Sequence, residues 1–165
     1  MSTARASRSE APLVAILRGL KPSEAEAVFG GLIGAGTVLT VEDVDSLDAA
    51  GGRLMVSPNV EPEVMVPRVR KNMITFPGVL TATEALAALK AGATGLEFLP
   101  AGVLGPLGIT AIRAILPSDF LIAAVGSVSD QNFASYTKAG ITAFGLGTSL
   151  YKPGMTSTEV MEGQD

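Results

Sequence analysis

Seven short apolar runs recur along the chain, and a segment with a helical pattern separates each run from the next. The runs are residues 13–17, 34–39, 53–57, 74–76, 95–100, 120–125 and 141–146. Apolar runs without polar alternation are typical of strands buried on both faces of a parallel sheet. Their spacing of roughly 20 residues predicts βαβ units on one such sheet. Two architectures meet that description, an open doubly wound sheet and a (β/α) barrel.

The carboxyl ends of the predicted strands are rich in glycine, proline and serine. They are Arg18-Gly19, Pro58-Asn59, Pro77-Gly78, Pro100-Ala101, Gly126-Ser127 and Gly147-Thr148. Glycine accounts for 19 of the 165 residues, above its usual share of about 7%. Barrel enzymes carry their chemistry at these strand ends, which favours the barrel. We therefore expect an α/β TIM-type barrel over residues 12–152, with a disordered tail at 1–11 and a loose tail at 153–165.

The composition excludes several kinds of chemistry. The chain has no cysteine and no histidine, which excludes a disulfide framework, thiol chemistry and a serine–histidine triad, and leaves no ligands for the usual zinc site. Any catalysis must use carboxylates, lysine, hydroxyl groups or the backbone. The formal net charge of −4 argues against a nucleic-acid partner, which requires a basic face. No apolar run approaches the ~20 residues of a membrane span, and residues 1–11 lack the apolar core of a secretory signal, so we expect a cytoplasmic protein.

One carboxylate stands inside an apolar strand pattern, in the run Gly95-Leu96-Glu97-Phe98-Leu99-Pro100. The closing proline cannot donate to a ladder, so the strand ends there or lies at a bulge. Burying a carboxylate is costly unless it is paired, neutralised or bound to a metal. Two interpretations stay open. In the first, Glu97 is a functional group. In the second, it merely faces water, and the physics of the residue alone favours this second interpretation by a small margin.

Two glycine-containing turns follow the last two predicted strands, Gly126-Ser127 and Gly145-Leu146-Gly147-Thr148. In barrels this position often holds phosphate through backbone N–H groups and a helix N-terminus. Glycine lets the backbone approach an anion closely, and Ser127 or Thr148 can add a hydroxyl donor. The alternative is a pair of ordinary βα turns.

Several segments in one consistent order resemble the 2-keto-3-deoxy-6-phosphogluconate and -phosphogalactonate aldolase family, most of all its phosphogalactonate branch. The matching segments are Ala15-Ile16-Leu17-Arg18-Gly19, Gly34-Ala35-Gly36-Thr37-Val38-Leu39, Val56-Ser57-Pro58-Asn59, Pro77-Gly78, Thr81-Ala82-Thr83-Glu84-Ala85, Leu116-Pro117-Ser118-Asp119, Ala124-Val125-Gly126 and Gly145-Leu146-Gly147. The resemblance implies a (β/α)8 barrel, assembled as a homo-oligomer, usually a trimer. It implies reversible cleavage of a phosphorylated keto-deoxy sugar acid to pyruvate and glyceraldehyde 3-phosphate. That reaction uses a lysine Schiff base, a glutamate proton shuttle and no metal or cofactor.

The resemblance also implies roles for individual residues. Arg18 would contact substrate, Thr37 would lie by the pyruvate carboxylate, and Pro77 and Gly78 would line the floor of the site. Phosphate would be held by Val125, Gly126, Ser127, Gly147 and Thr148, although the family prefers a second glycine in place of Ser127. The Schiff-base lysine falls on Glu97, and a carboxylate cannot form an imine.

A second departure is a gap between Ile33 and Gly34. The family has roughly thirty more residues there, about one βα unit, and that unit contains the catalytic glutamate. We therefore expect about seven of the eight units of the barrel. The strands on either side of the gap must pair directly or stand apart, and an unpaired edge invites association with another chain. We accordingly expect marginal stability and a tendency to associate beyond the trimer.

Three hypotheses about function follow. The first is a family aldolase by descent that is inactive or weak. The second is a non-catalytic protein that keeps a phosphate or sugar-acid pocket or joins active subunits. The third is an enzyme of another class in which Glu97 transfers protons, with its pKa raised by burial.

Overall fold

The structure, a computed structural model, describes residues 34–65 and 72–146 and the backbone of Leu13–Ala15. Its strands form one sheet in which all neighbours are parallel, in the order β1-β7-β6-β5-β4-β3-β2. The strands are β1 (Leu13–Ala15), β2 (Gly34–Ala35), β3 (Leu54–Ser57), β4 (Ile74–Val79), β5 (Gly95–Phe98), β6 (Leu121–Val125) and β7 (Ala143–Leu146). The predicted tails at 1–11 and 153–165 lie outside the described residues. So does the segment up to Ile33, for which the sequence predicts a helix with Ser23 as its cap.

The strand order separates the two architectures that the sequence left open. A doubly wound sheet reverses its strand order at a switch point, whereas β2 to β7 follow one another without reversal. The first strand then adds beyond the last, beside β7. This order is that of a curled parallel sheet, so the doubly wound alternative is wrong.

The two strands that flank the predicted gap stand apart. β1 pairs with β7 and β2 pairs with β3, so these consecutive strands form the two ends of the sheet order. No ladder joins them within the described residues. Of the two arrangements expected, direct pairing is therefore not the one observed.

Four helices are described: α1 (Val41–Ala49), α2 (Ala82–Lys90), α3 (Ala101–Arg113) and α4 (Phe133–Lys138), with a further helical stretch at 62–65. The sequence predicts a helix start at Thr40 with Asp43 and a capping box at Thr81-Ala82-Thr83-Glu84, and in the structure α1 and α2 both begin at capping boxes. The hydroxyl of Thr40 accepts from the N–H of Asp43, and that of Thr81 accepts from the N–H of Glu84. Within the described ranges, no helix is long and apolar enough to cross a membrane.

Several predicted boundaries are wrong. The fourth strand does not end before Pro77 but continues to Val79. Pro77 is the last β4 residue in register with β3, and Gly78 is the first in register with β5. The proline therefore stands at the changeover between two ladders. The second strand has only two residues, because bends replace the strand after Ala35.

The helical pattern of residues 108–116 predicts a helix that starts at Gly108, but the observed helix begins at Ala101. Gly105 interrupts it with a φ of 63°, a conformation that glycine adopts without steric cost. Pro106 then begins a second helical segment, where its missing N–H has no intrahelical partner to lose. Two short segments thus occupy the length that sequence patterning assigned to a loop and one helix.

The two faces of the sheet are packed differently. The main core lies between the helices and one face, and includes Leu96, Phe98, Ile109, Ile122 and Phe144. The opposite, concave face carries a smaller cluster of Val56, Phe76, Ala123 and Ala143. A Cβ on Gly95 would lie 2.6 Å from Cε1 of Phe76. The aromatic ring therefore fills the concave side below the middle of β5.

Threonine side chains tie neighbouring strands together at their amino ends. The N–H of Thr75 donates to Oγ1 of Thr94 (2.6 Å), and the N–H of Thr94 donates to Oγ1 of Thr75 (2.9 Å). Thr142, just before β7, is joined to β6 in a similar way, because its Oγ1 accepts from the N–H of Ile122 (2.9 Å). The hydroxyls of Thr94 and Thr142 directly precede β5 and β7 and fix the entry of each strand beside its neighbour.

Thr94→Val should lower the free energy of unfolding by about 1 kcal/mol, because the N–H of buried Thr75 loses its acceptor. Thr94→Ser keeps the hydroxyl and is the matched control. Urea denaturation followed by circular dichroism measures both. Equal midpoints for the two variants would contradict this role of the hydroxyl.

Candidate active site

Glu97 lies in the middle of β5 on the concave face. Its register partners are Gly78 of β4 and Ala123 of β6, which have little or no side chain. The residue is only 3% exposed. The interpretation in which Glu97 merely faces water is therefore wrong. Strand alternation turns its side chain into the curl of the sheet, where strands on both sides shield it.

A cavity of about 80 Å³ opens beside Glu97. A single water needs roughly 10–15 Å³ of such space, so the cavity admits a small organic acid or several waters. It lies at the carboxyl ends of β2, β3, β5 and β6, the edge to which the sequence assigned the site. Its described lining is Gly36, Thr37, Val56, Pro58, Glu97, Leu99 and Val125. Glu97 is the one ionisable side chain of that set.

Burial raises the pKa of Glu97 from its ordinary 4.5 to about 8, because a carboxylate in this position has lost its hydration. Within the described part of the chain, no hydrogen bond or ion pair reaches the carboxyl group to offset that loss. Glu97 is therefore mostly a neutral acid at pH 7. It points into the cavity as a potential hydrogen-bond donor.

Thr37 lies on the rim of the same cavity. It follows β2 with a φ of 59°, and the N–H of the next residue, Val38, donates to the carbonyl of Val56 (3.2 Å). This bond carries the chain across the end of β3. Thr37 and Glu97, which are 60 positions apart in the sequence, thereby come to one cavity.

The turn after β6 is closely held. Gly126 and Ser127 both have positive φ values, 86° and 60°. The carbonyl of Gly126 accepts from the N–H of Gly102 (3.2 Å), and a Cβ on Gly102 would lie 2.6 Å from Cβ of Ser127. Asn132 completes the turn by donating to the carbonyl of Ser127 (3.0 Å). Val125 leads from this turn into the cavity wall.

The remaining predicted residues are placed as follows. Gly78 pairs with Glu97, and a Cβ there would lie 2.5 Å from the carbonyl oxygen of Pro58. Pro77 is buried one residue away, and by strand alternation it belongs to the helix-facing side. Neither is among the cavity-lining residues. Arg18, Gly147 and Thr148 lie outside the described residues.

The sequence predicted no role in the site for four cavity residues: Gly36, Val56, Pro58 and Leu99. They are glycine or aliphatic and carry no chemical signal of their own. Their common feature is position, at or just beyond the carboxyl end of a strand. Counting alternate residues back from each strand end would have found Val56.

A curled parallel α/β sheet with a cavity at the carboxyl ends of its strands, and an ionisable residue inside that cavity, defines a TIM-like barrel enzyme fold. The family model described as "Aldolase: KDPG and KHG aldolase" matches residues 10–162. The chain belongs to this aldolase family. It is 54% identical to a probable 2-dehydro-3-deoxy-6-phosphogalactonate aldolase of Rhizobium meliloti, over 93% of this chain and 88% of that protein.

Further relatives point the same way. The 2-dehydro-3-deoxy-6-phosphogalactonate aldolase of Escherichia coli is 38% identical, over 90% of this chain and 89% of its own length. Among solved structures, one described as "Native KDPGal structure" superposes with a TM-score of 0.85 at 36% identity, over 95% of this chain and 92% of that one. A cube-shaped cage "designed by fusing symmetric oligomeric domains" also matches with a TM-score of 0.85, at 37% identity, over 94% of this chain and 70% of that one.

The raised pKa predicts how stability depends on pH. Between pH 4.5 and about 8 the folded state keeps a proton on Glu97 that the unfolded state has released. Stability should therefore be highest at the acid end of this window and fall as pH rises, by up to about 1.4 kcal/mol per unit. Above about pH 8 this contribution should level off.

Glu97→Gln is the matched control, since it keeps the shape of the neutral acid and cannot ionise. Urea midpoints for both proteins from pH 5 to 9 measure the difference. The wild-type protein should lose stability relative to the variant as pH rises. Parallel profiles would show that Glu97 does not hold its proton in the folded state.

Proposed function

We propose that this chain binds the family's ligands, pyruvate and phosphorylated keto-deoxy sugar acids, in the cavity beside Glu97. We propose further that it performs the family's aldol cleavage weakly or not at all. One observation carries the proposal. A buried carboxyl group stands in the cavity at the position where the resemblance has the Schiff-base lysine.

The chemistry of the Schiff base supports the second part. Its first step needs an unprotonated amine, and a carboxyl group cannot supply one. The two described lysines, Lys90 and Lys138, stand in the last turns of α2 and α4. Helix ends of βαβ units lead back to the amino ends of strands, so both lysines are at the opposite edge from the cavity. Lys21, Lys71 and Lys152 lie outside the described residues.

The lengths of the alignments support an incomplete barrel of about seven of the eight units. The chain contributes 93% of its 165 residues, about 153, to an alignment of 186 positions with the Rhizobium relative, which leaves about 33 positions without a counterpart. The Escherichia coli relative gives a similar shortfall, 182 positions against 90% of the chain. One βα unit has about that length. In the sheet order β1 and β2 are separated, which agrees with the loss of one βα unit between them.

Assembly and location complete the proposal. We expect a homo-oligomer, as the family's trimer implies, in the cytoplasm. The match to a cage built from "symmetric oligomeric domains" supports the first of these. Val103 and Leu107 of α3 are 71% and 89% exposed, which is apolar surface of the kind that oligomers cover.

Borohydride reduction in the presence of pyruvate should leave the mass of the wild-type protein unchanged, because the described lining of the cavity contains no amine. Glu97→Lys is the informative variant. It places an amine there, and burial lowers the pKa of such an amine, so a reduced pyruvate should be trapped. Intact mass followed by peptide mapping measures both.

A borohydride-stable pyruvate on any lysine of the wild-type chain would refute the proposal of an impaired aldolase. Trapping by Glu97→Lys should still not bring cleavage to the family's level, since the strand with the proton-shuttle glutamate is absent. Full turnover in that single variant would mean that the missing unit is dispensable.

Inorganic phosphate should bind weakly at the turn formed by Gly126 and Ser127, together with Gly147 and Thr148. In an amide NMR titration the shifts should centre on these residues. Ser127→Gly should retain binding, because glycine suits the observed φ of 60°. Ser127→Glu should abolish it by charge repulsion. Shifts elsewhere, or equal binding by the two variants, would refute a phosphate site here.

A further inference from the structure

We propose that Glu97 is a ligand-binding residue that acts as a neutral carboxylic acid. Its O–H donates a hydrogen bond to a carboxylate or keto oxygen of the ligand, so that each keto acid binds together with one proton. The inference rests on the proposed function. Beyond that function, the inference explains how the cavity accommodates an anionic ligand and which ligands it selects.

The surroundings of Glu97 offer an anion no other charged partner among the described residues. The neighbouring strands present Gly78 from β4 and Ala123 from β6, and the cavity wall adds Thr37, Val56 and Val125. None of these side chains is titratable. Glu97 is therefore the one side chain of the described lining whose protonation state can adapt to the charge of a ligand.

The charged groups nearest the carboxyl-end edge of the sheet are acidic. The carboxyl-end loops after β2, β4 and β6 carry Asp43, Glu84 and Asp130. Asp43 and Glu84 accept from backbone N–H groups at their own helix starts, so both carboxylates are held in the capping boxes. None of the three lines the cavity. This edge of the described structure thus supplies negative charge.

The cationic side chains of the described ranges stand at the other edge. Arg53 precedes β3, and Lys90, Arg113 and Lys138 stand in the last turns of α2, α3 and α4. The guanidinium group of Arg113 also donates hydrogen bonds to the carbonyls of Pro117 and Ser118. An anion in the cavity therefore cannot use any of them.

Two carboxylates in this cavity would repel each other, and each would lose hydration. If they share one proton, the same pair becomes a short charge-assisted O–H···O⁻ hydrogen bond. Burial already raises the pKa of Glu97 to about 8, so at neutral pH the proton is in place before the ligand arrives. Above that pH, binding has to take up a proton from solution.

The arrangement selects ligands by their acceptors. A keto acid presents oxygen atoms that accept from the acid O–H. An alkylammonium ion has only donors, so it requires the ionised carboxylate. At neutral pH the cavity should therefore prefer pyruvate to a small amine of similar size.

Isothermal titration calorimetry with pyruvate, from pH 6 to 9.5, tests the proposal. Wild-type affinity should be level up to about pH 8 and then fall about tenfold per pH unit. Glu97→Gln donates an N–H at every pH, so its affinity should stay level. Glu97→Asp keeps a titratable group and should keep the fall. Repeating the wild-type titration at pH 9 in buffers of different ionisation enthalpy should give about one proton taken up per pyruvate.

The outcomes separate this inference from the proposed function. If wild type binds pyruvate with a level profile and no proton uptake, the inference is overturned and the binding function stands. If neither wild type nor Glu97→Gln binds pyruvate at any pH, the proposed function fails and the inference fails with it. If wild type binds methylammonium at pH 9 more tightly than it binds pyruvate at pH 6, the site pairs charges and the neutral-acid arrangement is wrong.

Discussion

The burial of one carboxyl group in a curled parallel sheet is the constraint on which the rest of the site depends. Glu97 leaves water almost entirely, and a buried carboxylate without a partner costs several kcal/mol or changes its protonation. Gly78 and Ala123 on either side of it leave the volume that its side chain occupies. The resemblance has a lysine at this position, so the space suits a long side chain of either charge. The reversal of charge therefore changes the chemistry of the cavity without requiring a different sheet.

The sheet itself holds together through local devices repeated along the chain. Each described strand from β2 to β7 pairs with the next one in sequence, so the backbone ladder extends by short βαβ steps. Threonines at the starts of β5 and β7 tie each of these strands to its neighbour. None of these contacts spans the join between β1 and β2. A chain shortened by one unit at that join can therefore keep the other units intact, and the 0.85 TM-score to a family structure agrees with this.

The distribution of charge decides what such a cavity can bind. Within the described ranges, the cations stand at the amino ends of the strands, where Asp48 pairs with Arg53, whereas Asp43, Glu84 and Asp130 follow the carboxyl ends. An anionic ligand thus has neither steering nor an ion pair from these residues. Among these residues, only backbone N–H groups, hydroxyl groups and the proton of Glu97 remain to hold it. These contacts are weaker than a covalent imine, as the proposed weak or absent cleavage requires.

The sequence by itself determined the features that depend on neighbours within a few positions. The helix start predicted at Thr40 and the capping box predicted at Thr81 are confirmed, because a cap joins residues three positions apart. The parallel orientation of the strands follows from the alternation of apolar runs and helices, whereas the strand order was read from the structure. The matching segments also identified the family, because homologous chains keep the same residues in the same order.

Only the tertiary structure decided the burial of Glu97, since exposure depends on which side of the curl a residue faces and on what stands opposite. Gly78, Ala123 and Thr37, which enclose it, are 19, 26 and 60 positions away. The passage of β4 through Pro77 was decided in the same way, because pairing with β3 and β5 outweighs the local preference for a break at that proline. The break of α3 at Gly105 follows instead from the local glycine–proline pair.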